Sequence, residues 1–165
     1  MRKTLDQPNF EALDACHQRI QTHLTELAAL AQTIEASGVD ASAQLQAGAI
    51  EAFFSGTSRP HHAEEERTLF PALLASGKPG IISAVHALQQ DHGWIEEDWI
   101  ELAPQLRAIA SGNNWFGASE FQHNVEVFVA LCRGHIALEE TVIYPESKAN
   151  WAQAVAARVT RGAKA

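Results

Sequence analysis

Two stretches of this chain carry the same arrangement of potential metal donors. The segments His61 to Pro71 and His135 to Pro145 both read H-x-x-x-E-E-x-x-x-x-P, with histidine, glutamate and proline offset by 74 residues. Another histidine precedes each copy in similar wording: His17 follows Cys16, and His92 follows Asp91, at an offset of 75 residues. Residues i and i+4 share a helix face, so His61 with Glu65, and His135 with Glu139, can each present a nitrogen and an oxygen to one centre. His17 and His92 add one imidazole from each of two further helices. Imidazole and carboxylate without thiolate suit first-row ions such as iron, manganese or zinc. Each carboxylate has two oxygens and can bridge two cations. Six protein donors spread over two ions leave positions for water, a bridging oxygen or a small ligand, as reactive metal sites do.

A repeat of this length points to duplicated supersecondary units, and the hydrophobic pattern shows which ones. Leu13, His17, Ile20, Leu24, Leu27, Ala31 and Ile34 alternate in steps of four and three and predict a first helix from about Asn9 to Ala36. A second begins near Ala41 and includes Ile50, Phe53 and Phe54. Gly56 to Pro60 is expected to interrupt it, with Pro60 opening a fresh turn that carries His61 and Glu65. The third has the longest stripe, Ile81, Val85, Leu88, His92, Ile95, Trp99, Leu102, Leu106 and Ile109, kinked at Pro104 and ended by Ser111 to Asn114. Phe121, Val125, Phe128, Cys132, His135, Glu139 and Val142 define a fourth, and a short tail helix is expected around Trp151 to Val159. Strand alternation is nearly absent. The fold class is therefore all-α: an antiparallel up-down four-helix bundle with a short C-terminal extra helix, forming one domain over residues 8–160.

His17, His92, His135 and Glu139 occupy seam positions where leucine or isoleucine would otherwise stand. A buried glutamate is uncommon, and an unpaired buried charge is costly. Without metal, Glu65 and Glu139 would face each other in the core, and each is expected to raise the other's pKa. The remaining histidines lack this support. His62 is turned about 100° from His61 and its counterpart is Ile136, so it is read as an outer or surface residue. His23, His86 and His123 lie off the stripes, and the isolated ExxH of Glu120 and His123 is read as coincidence.

The rest of the composition sets bounds. A chain of 165 residues with 46% hydrophobic content can bury a core, removing roughly 70% of its extended-chain surface from solvent. A net charge of −8 with scattered basic residues argues against a nucleic-acid surface. No apolar run is long enough to span a membrane, and the residues after Met1 do not form an apolar leader, so no membrane partner and a cytoplasmic location are expected. Cys16 and Cys132 are isolated thiols without a CxxC, supporting neither a zinc knuckle nor a disulfide frame.

Taken together, the H, HxxxE, H, HxxxE order and the Leu69-Phe70-Pro71 and Ile143-Tyr144-Pro145 endings resemble the hemerythrin-like family of HHE cation-binding proteins, from about His17 to Pro145. The resemblance implies a non-haem di-iron centre with His17, His61, Glu65, His92, His135 and Glu139 as ligands. The two iron ions would be bridged by carboxylate and by an oxo or hydroxo group. It also implies binding of dioxygen, nitric oxide or peroxide, or iron handling. One departure stands out. Oxygen-carrying members have a fifth histidine one turn after the third-helix histidine, and here that place is Glu96. Glu96 is expected as a seventh ligand, since a third carboxylate helps to neutralise two cations. It would favour the ferric state over simple oxygen carriage. The leading function is binding or reduction of a small oxidant; whether this amounts to enzymatic turnover is left open. The alternative is an iron-binding or sensing module without catalysis.

Overall fold

The computed structural model describes residues 7–113 and 115–163, so residues 1–6, residues 164–165 and Asn114, the last residue of the expected stop after the third long helix, lie outside the described residues. Four long helices carry the architecture: α1 (Phe10–Ser37), α2 (Ala41–Thr68), α4 (Pro79–Ala110) and α5 (Ala118–Leu138). A single short turn, α3 (Phe70–Leu74), links α2 to α4. A π-helical turn, Glu139–Ile143, leads from α5 into α6 (Tyr144–Gly162). No strand occurs among the described residues. The long helices pack in a ring, α1 on α2 and α5, α4 on α2 and α5, which gives the antiparallel up-down bundle that the stripes predict.

The first reversal shows how the sequence turns the chain. Gly38, at φ 75°, takes a positive-φ conformation open to glycine that closes α1, and donates its N–H to the Ile34 carbonyl. Two residues later Asp40 caps α2, its side chain accepting from the Ala43 N–H at 2.8 Å.

Two details differ from the sequence expectation. Helix α2 runs unbroken through Gly56 to Pro60 instead of stopping there. Gly56, whose carbonyl loses its partner to the proline, is exposed, as is Pro60 itself, so water can satisfy the freed group. Pro104 lies inside a continuous α4, as its stripe from Ile81 to Ile109 predicts, with Pro104 and Ile100 both on the exposed side. The tail helix begins much earlier than Trp151. Pro145 cannot donate to the carbonyl of Thr141, and the chain meets this by widening the preceding turn: the Tyr144 N–H reaches back to Glu139 as a π turn, and α6 continues directly. The first turns of α6 lie against α3.

The core is divided into two layers. A larger apolar cluster includes Ile20, Leu24, Phe54, Ile95, Leu106, Phe121, Val125 and Phe128. A smaller one gathers Leu13, Leu69, Phe70, Leu73, Val85, Leu88, Ile143 and Tyr144 at the α3 end. Between them in sequence, on the four long helices and the π turn after α5, fall the buried polar residues His17, His61, Glu65, His92, His135 and Glu139. Phe54 is the pivot of the larger layer, with ring centroids 5.2–5.4 Å from Phe53, Trp99 and Phe128. Phe54→Ala should therefore cost about 3–5 kcal/mol in chemical denaturation. A loss below 1 kcal/mol would show that this layer does not carry the stability of the bundle.

Candidate metal centre

Glu65 and Glu139 are both 0% exposed and lie in the middle of the bundle. Four imidazole nitrogens converge on them. Nε2 of His17 is 3.0 Å from one Glu139 oxygen and 3.7 Å from Glu65. Nε2 of His135 is 2.9 Å from the other Glu139 oxygen, and Nε2 of His61 is 3.3 Å from Glu65. His92 bridges the pair from the far side, with Nε2 at 3.6 Å from Glu65 and 3.8 Å from Glu139. These distances do not amount to a hydrogen-bonded network. The Nε2 atoms of His61, His92 and His135, Oε2 of Glu65 and both oxygens of Glu139 have no hydrogen-bond partner. A buried polar atom left without a partner costs about 1–3 kcal/mol. So many in one place, aimed at shared centres instead of at each other, fit a set of metal donors.

The donors divide into two overlapping groups. His17, His61, Glu65 and Glu139 form one, and Glu65, His92, His135 and Glu139 the other, each with donor atoms within 4.8 Å of one another. The same two carboxylates belong to both. The donor chemistry, two imidazoles and two shared carboxylates in each group, fits first-row metal cations.

Each inward-facing imidazole is held from behind, and the holders follow the repeat. Glu66 Oε1 lies 2.6 Å from His92 Nδ1, and Glu140 Oε1 lies 3.2 Å from His17 Nδ1. These are the second glutamates of the two HxxxEE copies, each reaching across to the other hairpin. Asp91 lies 3.4 Å from His135 Nδ1. Its counterpart Cys16 is the thiol that interacts with His61. An Nδ1–H donated to an outer carboxylate leaves Nε2 as the inward lone pair, the tautomer that a metal requires. The aromatic pair in the same repeat supports the rings: Tyr144 stacks on His17 (4.9 Å, 8°) and Phe70 on His92 (5.8 Å, 12°). Only Tyr144 brings a hydroxyl. It donates to Glu65 and lies 3.1 Å from His17 Nε2. Burial and the nearby Glu65 and Glu139 raise its pKa, so it stays a neutral donor.

The electrostatics correct one expectation. Burial acts to raise the pKa of Glu139, but the nitrogens of His135, His17 and His92 outweigh it and hold the carboxyl well below its usual range. The histidines shift instead. Burial pulls His61 down, yet Cys16 and Glu65 lift it to about 10; His92, likewise opposed by burial, is lifted to about 9 by Glu139, Glu65 and Glu66. His62 moves the other way, to about 2, through burial and the neighbouring His92, His135 and His61.

Six of the seven residues expected from the sequence are brought together; the seventh is not. Glu96 is 43% exposed and pairs with Arg59 of α2. The negative charge that it was expected to add comes from one shell further out, through Glu66, Glu140 and Asp91. Those three, together with Cys16 and Tyr144, are the site residues that the sequence reading missed. The repeat itself held the signal, because the second glutamates and the residues preceding His17 and His92 recur with the ligands.

Over residues 9–147 the sequence matches the family described as Hemerythrin HHE cation binding domain. The chain belongs to this hemerythrin family. An uncharacterized protein of Haemophilus influenzae (strain ATCC 51907 / DSM 11121 / KW20 / Rd) is 28% identical over 131 residues, covering 79% of this chain and 74% of that protein. No solved structure matches significantly. In this hemerythrin-family chain the HHE motifs and the buried His/Glu cluster coincide, consistent with metal binding.

Two tests follow from the geometry. Glu66→Ala and Glu140→Ala remove half-exposed carboxylates behind His92 and His17. Each should weaken metal affinity about 10–100-fold in competition with a chelator, while Glu96→Ala leaves it unchanged; equal effects of all three would contradict this division. The second concerns pH. His61 and His92 have folded-state pKa values above the ordinary 6.5, so their stabilisation is complete below that value and is lost as pH rises through about 9 and 10. The metal-free protein should therefore melt lower at pH 10 than at pH 7, and a flat profile would refute the assignment.

Proposed function

We propose that this chain is a cytoplasmic non-haem di-iron protein that binds or reduces a small oxidant: dioxygen, nitric oxide or peroxide. The observation that carries the reading is the pair of four-donor groups sharing Glu65 and Glu139. When bound, a pair of iron ions supplies two one-electron steps and open coordination positions for a small ligand.

The chain's own residues give that chemistry its setting. His17, His61, His92 and His135 hold their nitrogens inward through the outer partners already described. The apolar layers on either side exclude bulk water, which strengthens every charge interaction between them. Tyr144 holds a proton beside Glu65 and next to His17. Access comes from the opposite side, where a groove of about 1020 Å³ between α2 and α4 reaches His62 and His92 past Ser58, Gly93 and Trp99. Its two arginines, Arg59 and Arg107, are each paired, to Glu96 and Glu51. The groove therefore favours a neutral small molecule over an anion. An entrance of this size at one end of the donor cluster supports ligand chemistry over a purely iron-sensing role.

Anaerobic loading with ferrous iron should give two ions per chain, and admission of air should develop a new absorption envelope in the near-ultraviolet and visible. His92→Ala should bring loading to one ion or none. Saturation of the unaltered chain at a single ion would sink the dinuclear reading, and an unchanged spectrum in air would sink the oxidant reading while leaving metal binding intact.

A further inference from the structure

We propose that His62 supplies a third imidazole to the ion held by His92 and His135, making the two metal positions chemically unequal. The proposal rests on the dinuclear reading above and goes beyond it. His62 directly follows His61, but a rotation of about 100° around α2 turns it toward the other metal position. Its ring lies 3.9 Å from that of His92 at an interplanar angle of 13°, and 5.4 Å from that of His135. One nitrogen from each of His62, His92 and His135 lies within 4.8 Å of the others, so these three form a donor group of their own. That group shares two members with the Glu65, His92, His135 and Glu139 set and none with the His17 and His61 pair.

The repeat argues that this is an addition to one hairpin. The residue equivalent to His62 is Ile136, which is buried in the larger apolar cluster. The first position accordingly has two imidazoles and the Tyr144 hydroxyl nearby, while the second has three imidazoles. His62 thus stands in for the donor that Glu96, committed to Arg59, does not provide.

One movement is required. An imidazole lone pair lies in the ring plane, so two parallel stacked rings cannot both direct nitrogens at one ion. On loading, His62 must turn out of its stack with His92. There is room for this, because His62 borders the groove between α2 and α4, and Gly93 on the facing wall has no side chain.

The test is anaerobic titration of the metal-free protein with cobalt(II), read by its visible d–d absorption and by equilibrium dialysis. The unaltered chain should take two ions. His62→Ala should take the first with unchanged affinity and the second more than about tenfold more weakly, and millimolar imidazole should restore the second and its absorption. His62→Phe, which keeps an aromatic ring for the stack, should lose the second ion in the same way without rescue. Unchanged melting temperatures of the metal-free variants would establish that the bundle itself is intact. Retention of both affinities in His62→Phe, equal weakening of both ions, or an absence of imidazole rescue in His62→Ala would overturn the proposal. Failure of the unaltered chain to take a second ion would overturn the dinuclear reading beneath it.

Discussion

Two carboxylates without solvent contact, Glu65 and Glu139, set the terms for everything around them. A buried carboxylate is tolerated only if its charge is met, and here four imidazoles from four helices meet it. That need explains why the apolar stripes of α1, α4 and α5 are each broken by a histidine at the same depth. It also explains why the core is split into two layers with a polar slab between them. The balance is incomplete in the protein alone, since several inward atoms have no hydrogen-bond partner. A bound cation resolves this, and folding and metal binding therefore draw on the same contacts.

The outer partners complete that logic. Imidazoles can face inward only if something holds the back of each ring, and the repeat supplies Glu66, Glu140, Asp91 and Cys16 for the purpose. Glu66 and Glu140 are half-exposed, so the centre is tied to the surface through short carboxylate–histidine links. Lys78 and Glu146 form a further tie near the α3 end, joining the segment before α4 to α6.

Much of this was legible in the sequence because it depends on periodicity. Steps of four and three name the helix faces, and a histidine or glutamate on such a face is placed in the core by geometry alone. What escaped depends on neighbours that periodicity does not report. The continuation of α2 through Pro60 rests on Gly56 and Pro60 lying on an exposed side. The early start of α6 rests on a π turn that answers Pro145. Glu96 has the right spacing from His92, yet Arg59 on the adjacent helix claims it. In each case the deciding contact joins residues far apart in the chain or turns on which side faces water.

The crossed arrangement of Glu66 and Glu140 has a consequence for ancestry. Each hairpin lends a glutamate to the other's histidine, and each contributes one shared carboxylate and two imidazoles. Neither half encloses a cage alone, whereas two identical halves related by a two-fold axis would enclose one with four imidazoles and two carboxylates. The centre is thus the kind that a shorter chain could have formed as a homodimer before its gene was doubled and fused. The two halves now differ in these supports: one has Phe70 where the other has Tyr144, and one has His62 where the other has Ile136.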